Sequence, residues 1–113
     1  LELLISHGES GLQPLSLFKF NSDEKTSYLR IRPLNMHGAP ARGATVTLIT
    51  NKREHSKTID AGSGYLCQME PVAHYGIREN ETEFKFKVKW TNGDEDLFDV
   101  KNLNETIIVK QSL

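Results

Sequence analysis

The chain has 113 residues, the length of one domain and enough to bury a modest core without metals or several disulfides. Lys and Arg total 14 and Asp and Glu 15, a net charge of −1 that excludes the basic excess of a nucleic-acid binder and the strong charge of an acidic disordered tail. No apolar run approaches the roughly 20 residues that insert across a membrane, and the one cysteine, Cys67, rules out an intrachain disulfide.

The first ten residues, LELLISHGES, lack the basic and long apolar regions of a signal peptide, and the abrupt start inside an apolar run points to a piece of something larger. Beyond them the dominant period is two. Tyr28–Arg32 alternates, with Leu29 and Ile31 on one face and Arg30 and Arg32 on the other. Thr45–Thr50 is β-branched and follows Gly43. After a polar turn, Asn51–His55, a shorter strand is expected over Lys57–Asp60. Phe84–Trp90 is the cleanest alternation: Phe84, Phe86, Val88 and Trp90 share one face, and Lys85, Lys87 and Lys89 the other. On a helix those residues would scatter around the axis and bury three lysines, so strand is the assignment. Asn92-Gly93 predicts a type I′ turn into a return strand at Asp96–Val100, whose acids would face the lysines. A last strand is expected at Thr106–Lys110. Short strands separated by turn signals, with no sustained helical period, give an all-β domain: a small antiparallel β-sandwich or partly open barrel.

Special residues concentrate in Ala61–Gly76, where Gly62, Ser63, Gly64, Tyr65, Gln68 and His74 form the candidate interaction or fold-defining loop. Gly62 and Gly64 permit unusual backbone conformations or a close approach. Ser63 between two glycines has neither the G-x-S-x-G spacing nor the following helix of a nucleophile elbow. A hydrolase using Ser63 and His74 would need the Ser63 hydroxyl within about 3.2 Å of a His74 ring nitrogen, with a third residue orienting the ring; the expectation is that the domain is not an enzyme. His74 is expected to act architecturally, one ring nitrogen donating to a carbonyl of the glycine loop. His7, His37, His55, His74 and Cys67 are too scattered for a zinc site. The acids Asp60, Glu70, Asp94, Glu95, Asp96 and Asp99 offer oxygen ligands for calcium, but on a hairpin they read as a solvated face, so neither metal nor cofactor is expected. Tyr65, Tyr75 or Trp90 beside Lys85, Lys87 and Lys89, joined by Arg30 and Arg32 if those strands pair, would suit a carbohydrate- or glycosaminoglycan-binding module. Asn80-Glu81-Thr82 and Asn104-Glu105-Thr106 are glycosylation sequons at Asn80 and Asn104.

Taken in order, R-G-A-x-V-x-L-x-T at Arg42–Thr50, D-A-G-S-G-Y-L-C-Q-M-E-P-V-A-H-Y-G at Asp60–Gly76, Val88-Lys89-Trp90, Asn92-Gly93 and N-x-T-I-I-V from Asn104 closely resemble the ASPIC/UnbV domain. The likeness covers roughly Tyr28–Gln111 and departs mildly at Tyr75, where Phe is usual, and at Ile77-Arg78, where Leu-Gly would follow. Residues 1–20 look like the closing strands of an FG-GAP/VCBS-type β-propeller blade, which leaves 21–27 as a linker and 28–113 as the sandwich domain. The resemblance implies a secreted, extracellular protein whose partners are an extracellular protein or cell-surface receptor, possibly glycan, and its own propeller. It implies calcium in the propeller loops or an EGF-like module of the larger proteins, neither of which this sequence contains, and assigns no catalytic residue here.

Overall fold

A computed structural model describes residues 2–8, 10–21 and 26–113. Among these residues it contains nine strands and no helix: β1 (Glu2–Ser6), β2 (Leu15–Lys19), β3 (Ser27–Leu34), β4 (Thr45–Ile49), β5 (Glu54–Thr58), β6 (Ala73–Ile77), β7 (Lys85–Lys89), β8 (Glu95–Asp99) and β9 (Thr106–Lys110). They form a hairpin, β1-β2, and the two layers of a sandwich, β6-β3-β9 and β5-β4-β7-β8. Of the expected linker over 21–27, residues 22–25 lie outside the described residues, as do Leu1 and Glu9 of the expected blade segment.

Alternation builds the core from both layers. Leu29 and Ile31 of β3, Tyr75 of β6, Val46 and Leu48 of β4, and Phe86 and Val88 of β7 point inward and are buried. Phe84 packs against that cluster and Trp90 belongs to it, so the four-residue face read from Phe84–Trp90 is the core face. The lysines of β7 face outward, with Lys85 near Asp99 at 3.8 Å and Lys87 near Glu95 at 3.5 Å. Phe86 stacks on Phe98 of β8, ring centroids 4.9 Å apart.

Four local expectations change. The shorter strand lies at Glu54–Thr58, not Lys57–Asp60, because Thr50 closes the preceding turn early: its amide donates to the Arg53 carbonyl and its hydroxyl accepts from the Lys52 and Arg53 amides. The β7–β8 connection is not type I′. The Gly93 amide donates to the Trp90 carbonyl and only Gly93, at φ 96°, is left-handed, giving a three-residue loop with a glycine bulge. Ala73–Ile77 is a strand where loop was expected. Finally, the sandwich is not wholly antiparallel, since β9 pairs parallel to β3, Arg30 opposite Thr106 through Leu34 opposite Lys110. Pro33 is tolerated in this central strand because β6 has already ended, its last pair being Ile31 with Ala73.

Two polar contacts tie the layers and loops. Tyr75 spans the core from β6, and its hydroxyl donates to the Val46 carbonyl of β4 at 2.8 Å. Glu81, 5% exposed, takes Arg53 from the β4–β5 turn on both oxygens, Nε at 2.5 Å and a terminal nitrogen at 3.2 Å, and accepts from the Arg78 amide at 2.7 Å. Burial pushes the Glu81 carboxyl up, but the Arg78 amide and the Arg53 guanidinium outweigh it and hold it below the ordinary carboxylate range.

Tyr75→Phe is expected to cost about 1 kcal/mol, the usual net value of one hydrogen bond, and Tyr75→Ala about 4 kcal/mol through the cavity it leaves, both read by urea denaturation. Because the folded Glu81 carboxyl is depressed, its stabilisation is complete above the unfolded value of about 4.3 and is lost as pH falls through the folded value. Glu81→Gln should therefore cost about 3 kcal/mol at neutral pH and flatten the acid limb of the stability profile; a wild-type acid limb in the variant would show that Glu81 does not drive it.

Candidate functional site

The segment between β5 and β6 arches over one end of the sandwich and is held by its base. The Asp60 carboxylate accepts from the Ser63 amide at 2.9 Å and the Ser63 hydroxyl at 2.8 Å. Those Ser63 bonds, with the Gly62 and Ala61 amides, hold the Asp60 carboxyl below its ordinary value despite a small opposing effect of burial. Arg42 reaches in from the β3–β4 connection, donating to the Asp60 carbonyl and to the Gln68 side-chain oxygen, the latter at 3.0 Å. Gly64 supplies the close approach. A Cβ there would stand 2.6 Å from the Cys67 carbonyl oxygen and 2.7 Å from its sulfur, so only glycine lets the chain fold over Cys67.

The apex is apolar and exposed. Tyr65 is 78% exposed, Leu66 91% and Met69 58%. Leu66 also sits at φ 53°, a conformation in which a bulky residue is strained. At the far end the chain descends into β6, and Glu70 pairs with Arg30 of β3 at 2.5 Å.

The expected loop residues are therefore divided. Gly62, Ser63, Gly64 and Gln68 form the base and Tyr65 the apex, whereas His74 belongs to β6. Its ring does not cap the glycine loop; it stacks on Tyr28, centroids 5.8 Å apart and planes 11° apart. Burial first, then Arg30, holds His74 below the ordinary imidazole value. Ser63 spends its hydroxyl on Asp60, and among the described residues no hydrogen bond joins it to His74, so the geometry for a nucleophile is not assembled there.

The carbohydrate platform read from the sequence is also taken apart. Tyr75 and Trp90 are buried in the core, leaving only Tyr65 exposed. Arg30 and Arg32 lie on β3 and the three lysines on β7, in opposite layers. The hairpin acids do not converge on a cation: Asp96 accepts from the Trp90 indole at 2.6 Å, Asp94 from the Asn92 amide group at 2.6 Å, and Glu95 faces Lys87. Among the described residues no three His, Cys, Asp or Glu side chains gather as metal ligands.

Both sequon asparagines are exposed. Asn80 lies in the turn closed by the Glu81 amide on the Arg78 carbonyl. Asn104 is left-handed at φ 62°, and its side-chain oxygen accepts from the Tyr28 amide at 3.0 Å. Cys67 is a free, exposed thiol. The Arg53–Glu81 pair escaped the sequence reading, since an Arg and a Glu 28 positions apart carry no local signal.

The family model described as ASPIC and UnbV matches residues 35–112. Over 94 residues, 82% of this chain, the sequence is 50% identical to cartilage acidic protein 1 of Xenopus tropicalis and 49% identical to cartilage acidic protein 1 of Homo sapiens. The aligned segment spans 14% of the length of each of these relatives.

Gly64→Ala is expected to disrupt the loop and spare the sandwich. Limited proteolysis should nick residues 61–70 at least about fivefold faster while the thermal midpoint moves by less than about 4 °C, because the substitution touches loop backbone and no core side chain. A large fall in the midpoint would instead make the loop part of the cooperative core.

Proposed function

The chain belongs to the ASPIC and UnbV family, and from that premise we propose that it is a non-enzymatic extracellular interaction module of a secreted matrix or cell-surface glycoprotein. The observation that carries the reading is the apex of the β5–β6 loop. Three large apolar side chains, Tyr65, Leu66 and Met69, stand in solvent on a base organised by Asp60, Arg42 and Gly64. Exposed apolar groups on an ordered loop are the ordinary makings of a docking surface, and tyrosine is favoured at such sites for its large area and few rotors. Leucine in a left-handed conformation adds a second reason, because strain of this kind persists where a site requires it. The mechanism is presentation: the sandwich fixes the base, and the apex inserts into a pocket of an extracellular protein or receptor.

The β1–β2 hairpin supports a second contact, within the protein itself. Leu3 pairs with Phe18 on one face and Leu4 with Leu17 on the other, so the ribbon is apolar on both sides, and all four side chains are exposed. A two-stranded ribbon is marginal alone in water. Packing residues 1–20 into a propeller blade would cover both faces and seat the sandwich on that propeller.

A photo-crosslinking amino acid at position 65 of the full-length secreted protein tests the apex. The expected result is covalent capture of one extracellular protein, or of a defined peptide of the same chain, with no capture from the exposed position Lys101. Equal labelling from both positions would overturn the assignment of the apex as the docking point.

A further inference from the structure

The outer face of the three-stranded layer has a chemistry of its own. Alternation along β3 sends Leu29 and Ile31 into the core and Tyr28, Arg30 and Arg32 outward, at a spacing of about 7 Å between successive outward positions. The register sets His74 of β6 on one side of Arg30 and Thr106 of β9 on the other, and it carries Lys110 one step beyond Arg32. Arg30, Arg32 and Lys110 thus form a row of positive charge. Among the described residues only Arg30 of the three makes an ion pair, with Glu70. On the opposite layer Lys85 and Lys87 already face Asp99 and Glu95.

Arg30 has capacity to spare. Its Nε is buried and has no hydrogen-bond partner among the described residues, an uncompensated donor within a guanidinium fork that suits carboxylate or sulfate oxygens. Two shallow depressions meet at Arg30 and His74. One, about 310 Å³, is walled by Met69, Glu70 and Val72; the other, about 410 Å³, by Thr26, Ser27, Tyr28 and Gly76. The near-parallel stack of Tyr28 on His74 lies beside the second, next to the guanidinium.

We propose that this face binds a linear anionic polysaccharide, with Arg30 taking a sulfate or carboxylate, a sugar ring packing beside the stacked Tyr28 and His74, and Arg32 and Lys110 extending the track. The row of charge suits the repeated anions of such a chain, and the two depressions adjoin at Arg30 and His74 along it. An acidic peptide fits less well. Arg30 lies on the middle strand of its sheet, whose edges are taken by β6 and β9, so an extended peptide over it gains no main-chain hydrogen bonds. The surface meets the apex only at Met69 and draws its charge from β3 and β9, so either assignment can fail without the other.

Calorimetric titration of the full chain with a size-defined heparin octasaccharide, at two salt concentrations, tests the proposal. Arg32→Ala and Lys110→Ala alter exposed side chains and are expected to keep the fold by circular dichroism. Each should weaken binding by about fivefold and lower the log–log salt slope by roughly one. Glu70→Gln should tighten binding by releasing Arg30, and the Lys85→Ala, Lys87→Ala pair should leave it unchanged. The proposal is overturned by no binding to the wild-type chain, by an equal loss from the lysine variants, or by an oligoglutamate peptide of matched charge binding as tightly.

Discussion

The Tyr75 side chain is the contact on which the rest of the structure depends. It rises from β6, an edge strand of one layer, and ends on the carbonyl of Val46 in an inner strand of the other. His55 meets its ring edge-on and the Lys57 ammonium stands 5.5 Å from the ring centroid, so β5 closes over it as well. Burial pushes the phenol well above its ordinary pKa, so the hydroxyl keeps its proton and remains a donor throughout the physiological range. The ring fills the core as a wedge, and the hydroxyl adds one hydrogen bond across it.

Fixing Tyr75 also fixes what lies outside. Strand alternation makes His74 face outward once Tyr75 faces in, which sets the imidazole beside Arg30 and against Tyr28. The same strand anchors the descending limb of the β5–β6 loop, while Asp60 and Arg42 anchor the ascending limb. Beyond the opposite end of β6, the Arg53–Glu81 pair ties the β4–β5 turn to the segment before β7, with Arg53 also donating to the Gly76 carbonyl at 2.7 Å. Support and presentation are consequently carried by different residues: buried groups hold the frame, and Tyr65, Leu66 and Met69 remain outside it.

The sequence carried the strands whose partners differ on their two faces. Phe84–Trp90 was legible because lysine and apolar residues alternate without a break, and β3 because Arg30 and Arg32 flank Ile31. β6 was hidden: Ala73-His74-Tyr75-Gly76-Ile77 places a glycine and a histidine on its outer face, residues that read equally as loop. From that omission followed the misplacement of His74 and the treatment of Tyr75 as a surface ring. Strand order was illegible for a different reason. Periodicity assigns faces, not neighbours, so nothing local separated Arg30 and Arg32 from the lysines of β7 or made β9 run parallel to β3. Glycines marked the irregular stretch between β5 and β6, yet its division into a hydrogen-bonded base and an apolar apex depends on Arg42, which joins it from another connection.

The central claim is that the apex is displayed by the sandwich and contributes nothing to holding it together. Urea denaturation of the triple variant Tyr65→Ser, Leu66→Ser, Met69→Ser measures this directly. Solvent-facing side chains leave an unfolding free energy within about 0.5 kcal/mol of the wild type, with the slope against urea unchanged. A loss as large as that from emptying the Tyr75 site would contradict the account and return the apex to the core.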